Sequence, residues 1–327
     1  MRQNMYAFLL VSVLFFCPIQ LTHAQKLAPI PRIGIVRAGA PAPGGIPDEF
    51  VQALHDLGYI DKKNIMIEIR YAKGDRDRLR EFAKELVQLK VDAIFTGSSP
   101  AVFALKQETK TIPIVIVSST DPVKSGIVAS LARPGGNITG LSLLSTDLWP
   151  KRLELLKEIL PKLSKVAMFW NKSNAGMAVE AKATQEAAGP MGVTLQDRGV
   201  KDANEIDAVF DAMSKERPDA FLALMDITLL AHRTRILDFL EKNRVPAIYE
   251  SKDWVEAGGL LSYGANGSDI IRRAAVQMDK ILKGAKPDDL PVEQPMKFEF
   301  VVNLKTAKQI GVTIPPNVLV RADRVIR

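Results

Sequence analysis

Cysteine is almost absent from this 327-residue chain: there is one, Cys17, inside the N-terminal apolar run. That excludes a disulfide framework and any zinc or iron–sulfur site built on thiolates. Histidine is scarce too. Beyond the N-terminal run only His55 and His232 remain, each isolated in a helical stretch, so no metal is expected. No Gly-x-x-x-x-Gly-Lys-Ser/Thr and no Gly-x-Gly-x-x-Gly follows a strand signal, so no nucleotide cofactor is expected. There is no Gly-x-Ser-x-Gly elbow, and no other set of residues makes a credible catalytic centre, so an enzyme is not expected either. The formal net charge is +7, yet no Lys/Arg block carries interleaved aromatics, and a nucleic-acid partner gets no support. Past residue 24 there is no apolar run of membrane-spanning length.

What is present begins with a leader pattern. Arg2 precedes an uncharged, mostly apolar run over residues 6–19, and Thr22-His23-Ala24 ends on a small residue. This predicts a signal peptide, residues 1–24, cleaved after Ala24, and hence an exported, periplasmic, soluble protein. Phe16 and Pro18 around Cys17 do not suit lipid attachment. With 47% hydrophobic and 25% charged residues the remainder is an ordinary globular chain, long enough for two domains.

The chain says one thing twice. Val91-Asp92-Ala93-Ile94-Phe95 is followed, after a helical stretch, by Ile112-Pro113-Ile114-Val115-Ile116. Pro218-Asp219-Ala220-Phe221-Leu222 is followed in the same way by Val245-Pro246-Ala247-Ile248-Tyr249. Each is a strand–helix–strand unit. Around them strand and helix signals alternate, with strands predicted at 33–36, 65–71, 138–143, 165–170, 260–263 and 298–302. Helices are predicted at 48–57, 75–89, 149–159, 203–215, 229–243 and 269–282. Near-continuous apolar strands argue for parallel sheets covered on both faces, an α/β class with two lobes and a cleft between them.

In open parallel sheets ligands bind beyond the carboxyl ends of the strands. Candidate positions are therefore Arg37, Ser98, Ser99, Thr120 and Asp121 in the first half, and Asn171, Asp226, Tyr249, Glu250 and Tyr263 in the second. Ser98 and Ser99 open a helix, where free N–H groups and the dipole favour an anion such as a ligand carboxylate; a plain helix cap is the other reading. Asp226 could pair with a ligand ammonium, cap a helix or bridge the lobes. Asp121 has the same choices, and Pro122 strengthens the cap. Tyr249, Tyr263, Trp170 and Trp254 fall at or just past strand ends, which suggests a stacking rim, with core packing as the other role for each.

Longer runs carry a resemblance. Lys110-Thr-Ile-Pro-Ile-Val115, Ser130-Leu-Ala-Arg-Pro-Gly-Gly-Asn-Ile-Thr-Gly140, Lys151-Arg-Leu-Glu-Leu-Leu-Lys157, Trp254-Val-Glu-Ala-Gly-Gly259 and Leu290-Pro-Val-Glu-Gln-Pro295 resemble ABC-transporter substrate-binding proteins of the tryptophan/tyrosine-binding type. The resemblance implies the type I periplasmic-binding-protein fold, two Rossmann-like lobes with parallel sheets, hinge-linked. Lobe one would be 25–145 plus 264–288, and lobe two 146–263 plus 289–327. It implies a monomeric receptor of an ABC importer that closes on a small carboxylate-bearing ligand, an amino acid for some members, and docks on an inner-membrane ABC permease. It places carboxylate contacts at Ser98, Ser99 and the Thr120 turn, and ammonium contacts at Asp226. An exported ligand-sensing subunit of a membrane signalling protein is the alternative.

Overall fold

A computed structural model describes residues 30–41, 46–118, 121–143, 145–224 and 227–327. The first part of the chain runs β1 (Arg32–Arg37), α1 (Ile46–Asp56), β2 (Met66–Tyr71), α2 (Arg76–Gln88), β3 (Ala93–Thr96), α3 (Ser99–Glu108), β4 (Ile114–Ser118) and β5 (Ile138–Ser142). The chain then crosses to α4 (Ser145–Ile159), β6 (Lys165–Asn171), α5 (Ala175–Ala188), β7 (Thr194–Val200), α6 (Ile206–Glu216) and β8 (Ala220–Ala223). α7 (Ile227–Ala231), α8 (Arg233–Lys242), β9 (Ala247–Tyr249), α9 (Lys252–Glu256) and β10 (Leu261–Ala265) follow. It ends with α10 (Gly267–Leu282), β11 (Phe298–Asn303), α11 (Leu304–Ile310), α12 (Pro316–Leu319) and β12 (Arg324–Ile326).

Two sheets result. The first has the order β2-β1-β3-β4-β5, and the second β12-β11-β10-β9-β8-β6-β7. Read from β7, the second sheet repeats the order of the first and then adds two strands. The repeated sequence units are β3 with β4 and β8 with β9, each a neighbouring parallel pair. All pairings are parallel except β10 with β11. The α/β class with mainly parallel sheets is therefore what the apolar runs predicted.

Helices cover both faces of each sheet because its central strands are apolar on both sides. On one face of the first sheet, Leu79, Ala83 and Leu86 of α2, spaced three and four apart, pack with Val36, Ile94 and Ile116. Asp75 starts that helix by accepting from the Asp77 and Arg78 N–H groups. Gly34 lets α2 settle directly on β1: a Cβ there would lie 2.5 Å from Leu86 Cδ1. On the other face Phe50 stacks on Phe95 with ring centres 3.7 Å apart. The core there is completed by Ile270, Ile271, Ala274, Ala275 and Met278 of α10, although α10 comes after β6 to β10 of the second sheet in sequence. Each such fully buried aliphatic side chain contributes about 1.5–3 kcal/mol of transfer free energy. The second sheet is sandwiched likewise, by α4 and α5 on one face and by α6, α8 and α9 on the other.

The chain after α10 stays with the first sheet for some residues. Thr139 Oγ1 donates to the Leu290 carbonyl at 2.7 Å, and Val292 joins the first core. Glu293 lies beside Leu141; its N–H donates to the Gly140 carbonyl, and its carbonyl accepts from Ser142 N–H, both at 2.9 Å. Gly140 is required here, since at φ +142° a Cβ would sit 2.0 Å from the Ile116 carbonyl oxygen. The Glu293 carboxylate is held by Arg273 and by Gln277. The outgoing segment then runs against the incoming one: Arg273 Nη1 donates to the Gln294 carbonyl at 3.0 Å, and Asn266 N–H to the Lys297 carbonyl at 3.0 Å.

Some elements depart from the sequence expectation. The helix predicted at 229–243 is two, α7 and α8, broken at His232. β7 and α5 had no sequence signal. β7 is a half-exposed strand held by a seven-residue register on β6. The leader segment lies outside the described residues. Among the described residues no helix is long and apolar enough to cross a membrane, and no group of three or more His, Cys, Asp or Glu could hold a metal ion.

Candidate functional site: the strand ends between the sheets

The carboxyl ends of β1 and β3 are neighbours in the first sheet, and an unused donor stands at the last residue of β1 and two residues past the end of β3. Arg37 closes β1, level with Tyr71 of β2. Its Nη1 is sealed from solvent and has no hydrogen-bond partner. Burial pushes the guanidinium pKa down to about 10, and the nearby Tyr71 phenol opposes the shift. The group thus remains a cation at neutral pH, with one N–H buried and unpaired. Such a group costs stability unless an anion completes it.

Ser98 stands at the N-cap position of α3 with extended backbone, φ −145° and ψ 128°, but its side chain makes no capping bond. Its Oγ is buried without a partner. The cap reading of Ser98 therefore fails, because the hydroxyl is turned away from the helix N–H groups. Ser99 is buried in the first turn, and Pro100 follows within that turn. Thr96 is not available, since its hydroxyl donates to the Val36 carbonyl at 2.8 Å. Two orphan donors and the positive end of a ten-residue helix together suit an anionic group such as a carboxylate.

The other predicted residues divide. Thr120 and Asp226 lie outside the described residues. Asp121 is used as a cap, accepting from Val123 N–H at 2.9 Å and Lys124 N–H at 3.0 Å, with the Lys124 ammonium 3.5 Å away. Asn171 ends β6 and accepts from Ser173 N–H at 2.9 Å, shaping the turn into α5. Tyr249 is not on a wall of the cleft. Its ring is 1% exposed and stacks on Trp254 at 4.7 Å in the core, and burial raises its pKa. Tyr263 packs on Phe298 and Phe300 of β11, where it lines a hollow of about 260 Å³ with Lys151, Leu155, Arg321 and Asp323. Trp170 donates its indole N–H to Asp197 of the edge strand at 2.8 Å. The four aromatics therefore form no common rim: period-2 alternation in a short strand decides the face, and a strand-end position alone does not. Glu250 is 7% exposed and turns toward Arg152 and Glu180. Tyr71, Trp149, Arg152 and Glu180 were missed. The visible signal for two of them was Trp149-x-x-Arg152 on the buried face of a helix otherwise lined by Leu153 and Leu156.

The lobes meet at the cleft rims. Arg76, at the start of α2, donates from Nη2 to the Ser173 carbonyl past β6. Glu49 of α1 faces Lys252 and Asp253 of α9. Its pKa is raised by burial first and by Asp253 second, against Lys252.

Two parallel α/β lobes that exchange chain at hinges, with polar groups at facing strand ends, define a binding protein of the type I periplasmic kind. The chain belongs to the ABC transporter substrate binding protein family, whose model matches residues 40–326. Members of such a family bind substrates rather than transform them. The chain is 28% identical over 262 residues to a tyrosine-binding protein of Clostridioides difficile, covering 80% of this chain and 75% of that one. Its structure is similar to an ABC domain from Streptococcus pneumonia in complex with L-Trp: TM-score 0.82 and 26% identity over 90% of this chain and 99% of the other. It is also similar to the ligand-free, open structure of a substrate-binding protein with adhesive properties from Clostridium difficile: TM-score 0.67 and 28% identity over 91% and 99%.

Proposed function

We propose that this protein is the periplasmic receptor of an ABC importer and captures an amino acid, of the aromatic class, in the cleft between its lobes. The observation that carries the reading is the pair of buried, unpartnered donors Arg37 Nη1 and Ser98 Oγ at the adjoining ends of β1 and β3. A ligand carboxylate there gains charge-assisted hydrogen bonds and the field of α3. The ammonium falls to Asp226, three residues after β8 in sequence, and Tyr71, level with Arg37 on the neighbouring strand, offers an aromatic face. Relatives named for tyrosine and bound to L-Trp support the class.

Capture works by closure. Ligand contacts from both lobes stabilise the closed form and shift a two-state equilibrium toward it. The Arg76–Ser173 contact and the better superposition on the L-Trp complex than on the open relative support a closed arrangement here. An inner-membrane permease then reads the closed form, and the leader at residues 1–24 delivers the chain to that compartment.

Calorimetry with L-tryptophan and L-tyrosine, paired with X-ray scattering, tests this reading. Binding should come with compaction of the particle; tight binding at constant radius would sink the hinge mechanism. Ser98→Ala should weaken binding by roughly tenfold, the worth of one hydrogen bond at about 1–1.5 kcal/mol, with no loss of melting temperature because no cap is removed. A drop in melting temperature with unchanged affinity would return Ser98 to a capping role.

A further inference from the structure

Just below the strand ends of the second sheet lies a buried charged cluster that the carboxylate site proposed above does not use. Trp149 and Arg152 lie one turn apart on α4, Glu180 sits on the second turn of α5, and Glu250 follows β9 directly. Trp149 and Glu180 are 0% exposed and Arg152 is 1% exposed. The Trp149 indole N–H donates to Glu180 Oε1 at 2.9 Å. The Arg152 guanidinium lies 4.4 Å from the Trp149 ring centre, and its Nε–H donates to the Tyr263 carbonyl at 2.7 Å. The second oxygen of Glu180, Oε2, is sealed from solvent and receives no hydrogen bond from any N–H or hydroxyl. Within its reach is the carboxyl of Glu250.

Two ionised carboxylates do not face each other in a dry site, and a proton between them removes the conflict. The charged and titratable groups facing Glu180 are Glu250 and Arg152; Arg152 also faces the Tyr263 phenol. Burial foremost, then Glu250, holds the Glu180 carboxyl well above the usual range, while the Trp149 bond and Arg152 oppose that shift without reversing it. The orphan Oε2 is thereby explained as one end of an O–H···O contact.

We propose that the Glu180 carboxyl keeps its proton and donates it from Oε2 to the Glu250 carboxyl, and that Glu180 and Arg152 act as positioning residues for the ends of β9 and β10. Glu180 fixes Glu250 just past β9, and Arg152 ties β10 through the Tyr263 carbonyl. The two ends touch backbone to backbone, since a Cβ on Gly264 would lie 1.8 Å from the Glu250 carbonyl oxygen. That these ends matter to a ligand rests on the cleft reading above; the Glu180 proton and its hold do not.

The test needs no ligand. Infrared spectroscopy of the mature protein at pH 7 should show a protonated-carboxyl C=O band that is missing from Glu180→Gln, whose amide donates to Glu250 in the proton's place. No such band in the wild type, or its survival in the variant, overturns the proposal. Hydrogen exchange tests the positioning. Glu180→Ala should speed amide exchange at Glu250 and Gly264 at least tenfold while the first sheet stays protected, and Glu180→Gln should restore the wild-type rates. Equal rates in the three proteins would leave the cluster no positioning role. If Glu180→Ala does not fold, the band and the exchange of Glu180→Gln decide alone. Failure of both aromatic amino acids to bind would count against the cleft reading only.

Discussion

Arg37→Met is expected to abolish ligand binding and to make the protein more stable. The two effects have one cause. In the free protein the guanidinium is desolvated, Nη1 lacks a partner, and its pKa is drawn down to about 10. Removing a buried donor that has no partner relieves a desolvation cost of about 1–3 kcal/mol. In the complex the same group would hold a carboxylate, and its loss strands a buried anion at a cost of about 2–5 kcal/mol. The affinity for L-tryptophan or L-tyrosine, by calorimetry, should fall at least a hundredfold while the melting temperature rises. A variant that loses stability along with binding would show Arg37 to be a structural residue.

The second large effect is in the pH dependence of stability. Glu180 is an acid whose folded-state pKa is raised, chiefly by burial. Its folded form binds a proton more tightly than the unfolded chain, so its contribution is complete below the unfolded pKa of about 4.3. It is lost as pH rises toward the folded pKa. Across that window the group lowers stability by up to about 1.4 kcal/mol per pH unit. Glu180→Gln cannot titrate. Urea unfolding at a series of pH values should therefore give curves that agree near pH 4 and separate steadily above it, with the variant the more stable at pH 8. Parallel curves would mean that Glu180 is ionised in the folded protein.

The central strands were legible because burial on both faces writes a continuous apolar run. All five residues of β4 are buried, and β9 lies within the apolar run Val245 to Tyr249. β7 was not legible: Asp197, Arg198 and Gly199 are poor strand residues, and only the long pairing with β6 makes them one. α5 is rich in alanine and lacks a sharp apolar stripe, so its period is faint. The candidate positions Arg37, Ser98 and Ser99 could be picked out from sequence because a single topological rule points to the carboxyl ends of the strands. The cluster under the second sheet could not. Its members come from α4, α5, β9 and β10, and an Arg or Glu in the sequence of a helix reads as a solvated charge until the fold buries it.

The paired connections between the lobes set how the molecule can move. Asn266 and Lys297 are hydrogen-bonded side by side where the chain passes between the sheets, and the antiparallel register from Ala265 with Phe298 continues directly from them. The segment ending at Glu293 is fastened to the first sheet before it reaches that point. Two strands laid together bend across their width far more readily than they slide lengthwise, so the linkage behaves as a two-ply leaf spring. The lobes can swing toward and away from each other, but they cannot shear. On the closing motion proposed above, Arg37 and the strand ends of the second sheet would return to the same mutual register each time.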